Sequence, residues 1–406
     1  MKIGEIGRLQ TLLHGLLDAF LNFGPVAPLN VVSSAKAIRY RLGQRPSEVV
    51  RILNSLGCQE KDTVKAWDKL VATTNSCSSE DFARALSTGY VFLDSIIHDI
   101  ETTSAVDLPV SEMDRSTWMA RIHTNSACKA VGQFCDHAKE SHKFGIRQTW
   151  VHGSLGTLDG VAGYSDFDAL VILHRESYRS ASGLFALREH IRDLCACLYL
   201  YDPLQHHGLF VVTDTDLQAY PQAYFPLELF RHAIPVAGGE TVLRAFLRDD
   251  SRERMDSFMG ACNTVRMLLA RSFGKVTAYD LKSLLQTVVL LPVLYLQLRD
   301  GIYRYKKYVY DIAKKDFSDE EWKIIDKITA LRGKWKYKSF LSYRMRRKLF
   351  RLLGPKVMPV FHRIESVKDT YKVVKYIGKD FDSDVALLVE AMMAKAKTLG
   401  VLVKND

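Results

Sequence analysis

The sequence predicts an α+β protein: a small mixed sheet between an N-terminal helical region and a C-terminal helical domain. Three observations lead there. Apolar residues recur at helical spacing near the start of the chain, short branched apolar runs bounded by turn residues cluster between 149 and 213, and helical periodicity returns after Thr241. The expected units are a helical domain over 1–110, a sheet-bearing domain over 115–240 and a helical domain over 241–406.

Leu9, Leu12, Leu13, Leu16, Leu17, Phe20 and Leu21 form the apolar stripe of a first amphipathic helix, which Pro25 and Pro28 end. Pro46 opens a second helix through Val49, Val50, Ile52 and Leu53 that stops at Gly57, because proline at the first helical position forfeits no helical hydrogen bond. The polar tract 73–80 reads as a loop, Phe82–Ile100 as a helix, and Val106–Ser111, with Pro109, as a linker. Asp114 is placed to cap a long helix through Trp118, Met119, Ile122, Ala127, Val131, Phe134 and Cys135. A strand through Trp150 and Val151 follows, then a second over Ala169–Leu173, a helix over Leu184–Leu200 that Pro203 stops, and a third strand over Gly208–Thr213. Beyond Thr241, helices are expected at 256–273, at 278–298 with a kink at Pro292, from the capping box Ser318-x-x-Glu321, and at about 383–398.

At 406 residues the chain is long enough for two or three domains that each bury a core, and 47% hydrophobic with 25% charged residues is ordinary globular composition. A net charge of +10 suits an anionic partner such as a nucleotide, a nucleic acid or a phosphorylated acceptor. The seven cysteines are scattered without a C-x-x-C pair, and Cys195-Ala-Cys197 has the wrong spacing for a zinc knuckle. Buried thiols and a reducing cytoplasm are the expectation. No membrane contact is expected, since the longest apolar run, Leu284–Leu298, is broken by Gln286, Pro292 and Gln297. Glu5, Asp18 and the lack of a cleavage site argue against a signal peptide.

The chemistry concentrates in Thr149–Leu173, TWVHGSLGTLDGVAGYSDFDALVIL. An apolar run stops at Gly153-Ser154, and Asp166-Phe167-Asp168 leads into an apolar strand. Alternation along a strand puts Asp166 and Asp168 on one face and Phe167 on the other. Two adjacent carboxylates at the mouth of a buried strand repel unless a cation lies between them, and magnesium is the usual one, bridging carboxylates to substrate phosphates.

Gly153-Ser154, the following spacer with Tyr164-Ser165, and the acid-x-acid of Asp166 and Asp168 resemble the signature of the DNA polymerase beta-like nucleotidyltransferase superfamily. The resemblance covers about 25 residues directly and about 100 by implied fold. It implies a small mixed-sheet nucleotidyltransferase domain that transfers a nucleoside monophosphate from a nucleoside triphosphate to an acceptor, with Asp166 and Asp168 holding Mg2+. It also implies a triphosphate cradle at Gly153, Ser154, Gly156 and Thr157, and a basic side chain from the C-terminal domain, Lys306 or Lys307 in Gly301–Tyr308. Family members carry a third acid near the start of the third strand. Here that place reads Asp202-Pro-Leu-Gln-His-His-Gly208, and His206 or His207 fills the slot, His207 being the choice for a ligand or base. Asp214 and Asp216 are alternatives at the far end of that strand, where turn duty is expected. Gly208 beside the histidines leaves room next to a bound nucleotide.

Between Asp326 and Glu365 there is no acid, while Lys334, Lys336, Lys338, Arg344, Arg346, Arg347, Lys348 and Arg351 alternate with Trp335, Tyr337, Phe340, Tyr343 and Phe350. Such a run over 332–356 suits nucleic-acid binding beside the nucleotide cleft, or a solvated face of an amphipathic helix. The acceptor stays open among a small molecule, a protein hydroxyl and an RNA end. An RNA-directed transferase and a noncatalytic nucleotide-binding or regulatory protein of the same fold are the rival readings.

Overall fold

The structure is a computed structural model and describes residues 3–23, 45–72, 78–122, 128–161, 163–205, 207–238, 242–270, 278–335, 341–353 and 380–398. It is mixed helix and sheet, an α+β arrangement with one small mixed sheet.

Helix α1 (Ile3–Asp18) runs into a π-helical turn, Ala19–Phe23, and buries the expected stripe from Leu9 to Leu21. Pro25 and Pro28 lie outside the described residues. Next come α2 (Arg45–Ser55), α3 (Lys61–Ala72) and α4 (Ser79–Ile96), the last capped by the Ser78 side chain on Asp81 N. Sequence reading missed α3, since only Thr63, Trp67 and Leu70 of its twelve residues are buried. The expected linker needs correcting. Ser104–Asp107 is strand β1, paired antiparallel with Arg244–Leu247 some 140 positions later, and four short residues give no local sign of that partner.

Asp114 does cap a helix, accepting from Thr117 N at 2.9 Å. That helix is described as α5 (Arg115–Ile122) and α6 (Cys128–Lys139), with 123–127 outside the described residues. Then follow β2 (Ile146–His152), β3 (Asp168–Leu173), α7 (Ala181–Tyr201), β4 (Phe210–Thr213), β5 (Ile234–Ala237) and β6 (Arg244–Leu247). The sheet order is β4-β3-β2-β5, with β3 and β4 parallel and the other pairs antiparallel. The third expected strand thus lies beside the acid-bearing one. β6 corrects the expectation of pure helix after Thr241.

Alternation along β3 sorts its side chains between two apolar layers. Ala169, Val171 and Leu173 join α1, α4, α6 and α7 on one face, while Leu170 and Ile172 meet Trp150, Phe225 and Phe230 on the other. The described C-terminal part is α8 (Ser251–Leu269), α9 (Ala278–Asp300), α10 (Asp319–Lys334), α11 (Tyr343–Leu353) and α12 (Phe381–Thr398). The Ser318–Glu321 capping box opens α10 as expected. α9 has the length and composition to cross a membrane, yet most of it is buried here, with Pro292 inside it. Tyr164 and Leu204, from the two loops flanking the sheet's acids, are part of this C-terminal core.

Candidate active site

β2 delivers the chain to Gly153, whose φ of +63° turns it out of the sheet into the short helical turn Gly153–Gly156. His152 pairs in register with Asp168, so the glycine lies against that carboxylate. A Cβ at 153 would come within 2.1 Å of Asp168 Oδ2. The Gly-Ser turn and the second acid are therefore one packing unit. Ser154 is buried, and its carbonyl accepts from Asp159 N at 3.1 Å.

Asp166 precedes β3 by two residues and is buried. Phe167 turns to the opposite face, its ring 4.9 Å from Phe134, as alternation requires. Gln205 fastens this stretch to the loop after α7: its Oε1 accepts from Phe167 N, and its Nε2 donates to Phe167 O, both at 3.1 Å. The same Nε2 donates to His207 O at 3.2 Å.

His207 faces the acids, with Nε2 at 2.9 Å from Asp168 Oδ1 and 3.7 Å from Asp166 Oδ2. His206 lies outside the described residues. The other ring nitrogen of His207 donates to Gly208 O at 2.9 Å, so both nitrogens face acceptors. Burial alone would lower its pKa, but the hydrogen bond and charge of Asp168, with Asp166 behind, raise it to about 9. Asp168 responds in kind: burial pushes it up, and His207 outweighs that, holding it below the usual carboxylate range. One ligand atom from each of Asp166, Asp168 and His207 lies within 4.8 Å of the others. The two carboxylates are donors that suit a hard divalent ion, and the imidazole, once neutral, is a further nitrogen donor within the same span.

The expectation for Gly208 is corrected. Its open side is filled by Asn22, whose Oδ1 accepts from Leu209 N at 2.9 Å and would meet a Cβ at 208 within 2.1 Å. Asp214 and Asp216 have turn duty, as expected. They open the helical turn after β4, Asp214 pairing with Arg147 at 2.7 Å and Asp216 with His14 at 3.0 Å.

Sequence reading missed Lys282 and Gln286 of α9. Lys282 has no exposed surface and bonds Asp166 Oδ1 at 2.5 Å and also Asp202; Gln286 donates to Asp166 Oδ2 at 2.5 Å. Burial would strip the ammonium of its proton, but Asp202 and Asp166 hold its pKa above the usual lysine value. The available signal was a lysine and a glutamine one helical turn apart in a leucine-rich stretch. His152 was missed too. It is buried, with a pKa pushed down by burial to about 4, and its Nε2 has no hydrogen-bond partner.

A cavity of about 750 Å³ opens over Asp168, His152 and Gly153. Lys306, Arg304 and Tyr305 form one wall, and Gln10 and His14 of α1 line it as well. That volume is in the range of small-molecule sites. Gly156, Thr157 and Lys307 line a separate pocket of about 200 Å³ instead, and Tyr305 borders both. The Thr157 hydroxyl is engaged with Gly153 O, Asp159 and Tyr305.

Among the described residues, none of the basic run lines this cleft, though Arg332 and Trp335 at its start pack on Tyr164 beside the acids. α11 docks away from the cleft, Tyr343 donating to Gln133 of α6 at 2.7 Å and Arg346 to Tyr199 O of α7 at 3.3 Å. None of its residues lines either pocket, and Arg344, Arg347 and Lys348 are exposed. The expected link is thereby corrected for α11, whose Arg344, Arg347 and Lys348 form a solvated face; Lys336, Lys338 and 354–356 lie outside the described residues. Compared with known proteins, the chain matches no family model, no curated protein and no solved structure.

Proposed function

We propose that this chain is a magnesium-dependent nucleotidyltransferase. The observation that carries the reading is the convergence of Asp166, Asp168 and His207 within 4.8 Å, with Asp168 lining a cleft that Gly153 and Lys306 also line. Asp166 and Asp168 are the residues that would hold Mg2+, joined by His207 once the ion displaces its proton. When bound, the ion supplies charge neutralisation for the triphosphate and for the oxygens of an in-line displacement at the α-phosphorus.

The chain's own groups do the remainder. Gly153 leaves the room that the Asp168 carboxylate occupies at the cleft. Lys306 and Arg304 offset the negative charge that builds on the leaving pyrophosphate as the bond from the α-phosphorus to its bridging oxygen breaks. An acceptor hydroxyl supplies the new bond to that phosphorus and gives up its proton. Neutral His152, a cleft-lining residue beside Asp168 whose Nε2 has no hydrogen-bond partner, is a group able to accept it.

The test is Asp168→Ala. Removing it is expected to weaken Mg2+-dependent nucleoside triphosphate binding at least about tenfold in calorimetry, equal to about 1.4 kcal/mol. The circular dichroism spectrum should be unchanged. Equal affinity in mutant and wild type, with Mg2+ present, refutes the reading. One observation favours a noncatalytic nucleotide binder as a second reading: Lys282 and His207 already place positive groups on the acids. Mg2+-dependent release of pyrophosphate separates the two.

A further inference from the structure

An ammonium with no exposed surface persists in a fold only where carboxylates replace its water. Lys282 has two such partners, Asp166 Oδ1 at 2.5 Å and Asp202 Oδ2, with the Tyr164 ring 5.9 Å away. Asp166 is shared: its Oδ1 faces Lys282, while its Oδ2 lies 3.7 Å from His207 and takes the Gln286 amide at 2.5 Å. Carboxylate sites for phosphoryl transfer commonly hold two divalent ions. Here the space between Asp166 and Asp202 is already taken by a side chain.

We propose that Lys282 is a built-in substitute for a second divalent ion, so that the site takes one divalent cation per chain. The inference rests on the metal-dependent reading above. Charge balance supports it: before substrate enters, and with His207 neutral beside the ion, one ammonium and one divalent ion balance the carboxylates of Asp166, Asp168 and Asp202. A second divalent ion would leave two surplus positive charges in a buried pocket. Lys282 thereby acts through Asp166, as a positioning residue rather than one that touches substrate. Its place on α9 also makes the C-terminal helices part of the site.

The experiment is a Mn2+ titration of the full chain without nucleotide, with free Mn2+ followed by electron paramagnetic resonance. Wild type is expected to take one ion. Lys282→Met has similar length and no charge, and is expected to take two, with a melting temperature that rises as Mn2+ is added. Lys282→Arg keeps the charge and should keep the count at one. Two ions in wild type, or one in both wild type and Lys282→Met, overturn the inference and leave the nucleotidyltransferase reading standing. No ion in wild type overturns that reading and the inference with it. Should Lys282→Met fail to fold at any Mn2+ concentration, the wild-type count decides: one supports the inference and two overturn it.

Discussion

A missing methyl group at position 153 fixes where Asp168 can be. With φ at +63° and Asp168 Oδ2 2.1 Å from where a Cβ would stand, alanine there meets both backbone strain and a carboxylate. Gly153→Ala is expected to cost roughly 1–2 kcal/mol in backbone strain. Displacing the carboxylate should also weaken Mg2+-dependent nucleotide binding by about tenfold or more, an effect of at least about 1.4 kcal/mol. Calorimetry beside a urea titration separates the two effects, and a variant that binds normally would show that the glycine serves the turn alone. Gly153, Asp166 and Asp168 were legible in the sequence because a tight turn and strand alternation are local properties. Lys282 was not, because its carboxylate partners are 116 and 80 positions away. Gly208 was legible as a point of close approach, but nothing local tells whether a ligand or Asn22 fills the space.

At the scale of elements, α1 is tied to the sheet by polar bonds as well as by its apolar stripe. Gln10 donates to Asp216 Oδ1 at 3.2 Å, and the ring of His14 lies 3.0 Å from Asp216 Oδ2. Burial lowers the His14 pKa, but Asp216 outweighs it and leaves the imidazole above its ordinary value. Burial raises Asp216, and His14 with Thr213 outweighs that, leaving it below the usual range. The histidine's contribution to stability is therefore complete below its unfolded value of about 6.5 and fades as pH rises through the raised folded value. The aspartate's is complete above about 3.9 and fades as pH falls through the depressed one. His14→Gln is expected to be less stable than wild type by roughly 2 kcal/mol near pH 6. That gap should narrow toward pH 10 in urea unfolding; a gap that is flat with pH would mean the pair is held by packing alone. The stripe that makes α1 a helix was readable from spacing. Its attachment through Gln10 and His14 was not, since a polar residue on the flank of an apolar face looks the same whether it meets water or a buried acid.

Across the whole molecule, the sheet and the C-terminal helices depend on each other. Tyr164 and Leu204 are buried in the C-terminal core, and the Asp166 and Asp202 carboxylates find their cation on α9. A fragment ending at residue 250 keeps every strand among the described residues but loses Lys282. An uncompensated buried charge costs about 3–5 kcal/mol, a large share of the roughly 5–15 kcal/mol by which a protein is stable. Such a fragment is expected to be insoluble or to melt without a sharp transition in circular dichroism. A soluble fragment with cooperative unfolding would show that the sheet manages without α9.

That dependence sets an order of events on the ribosome. Thr213 closes the last strand of the acid-bearing half some 70 residues before Lys282 is polymerised, an interval of roughly 4–14 s at ordinary elongation rates. Once β5 follows at Ile234–Ala237, the nascent sheet has its hydrogen-bonding partners but not the charge that lets two of its acids leave water. Asp166 and Asp202 must stay hydrated, which keeps the loops that carry them, and the apolar Tyr164 and Leu204 beside them, open to solvent or to a chaperone. Translation pauses between codons 214 and 282 would lengthen that exposure, and pauses after 300 would not.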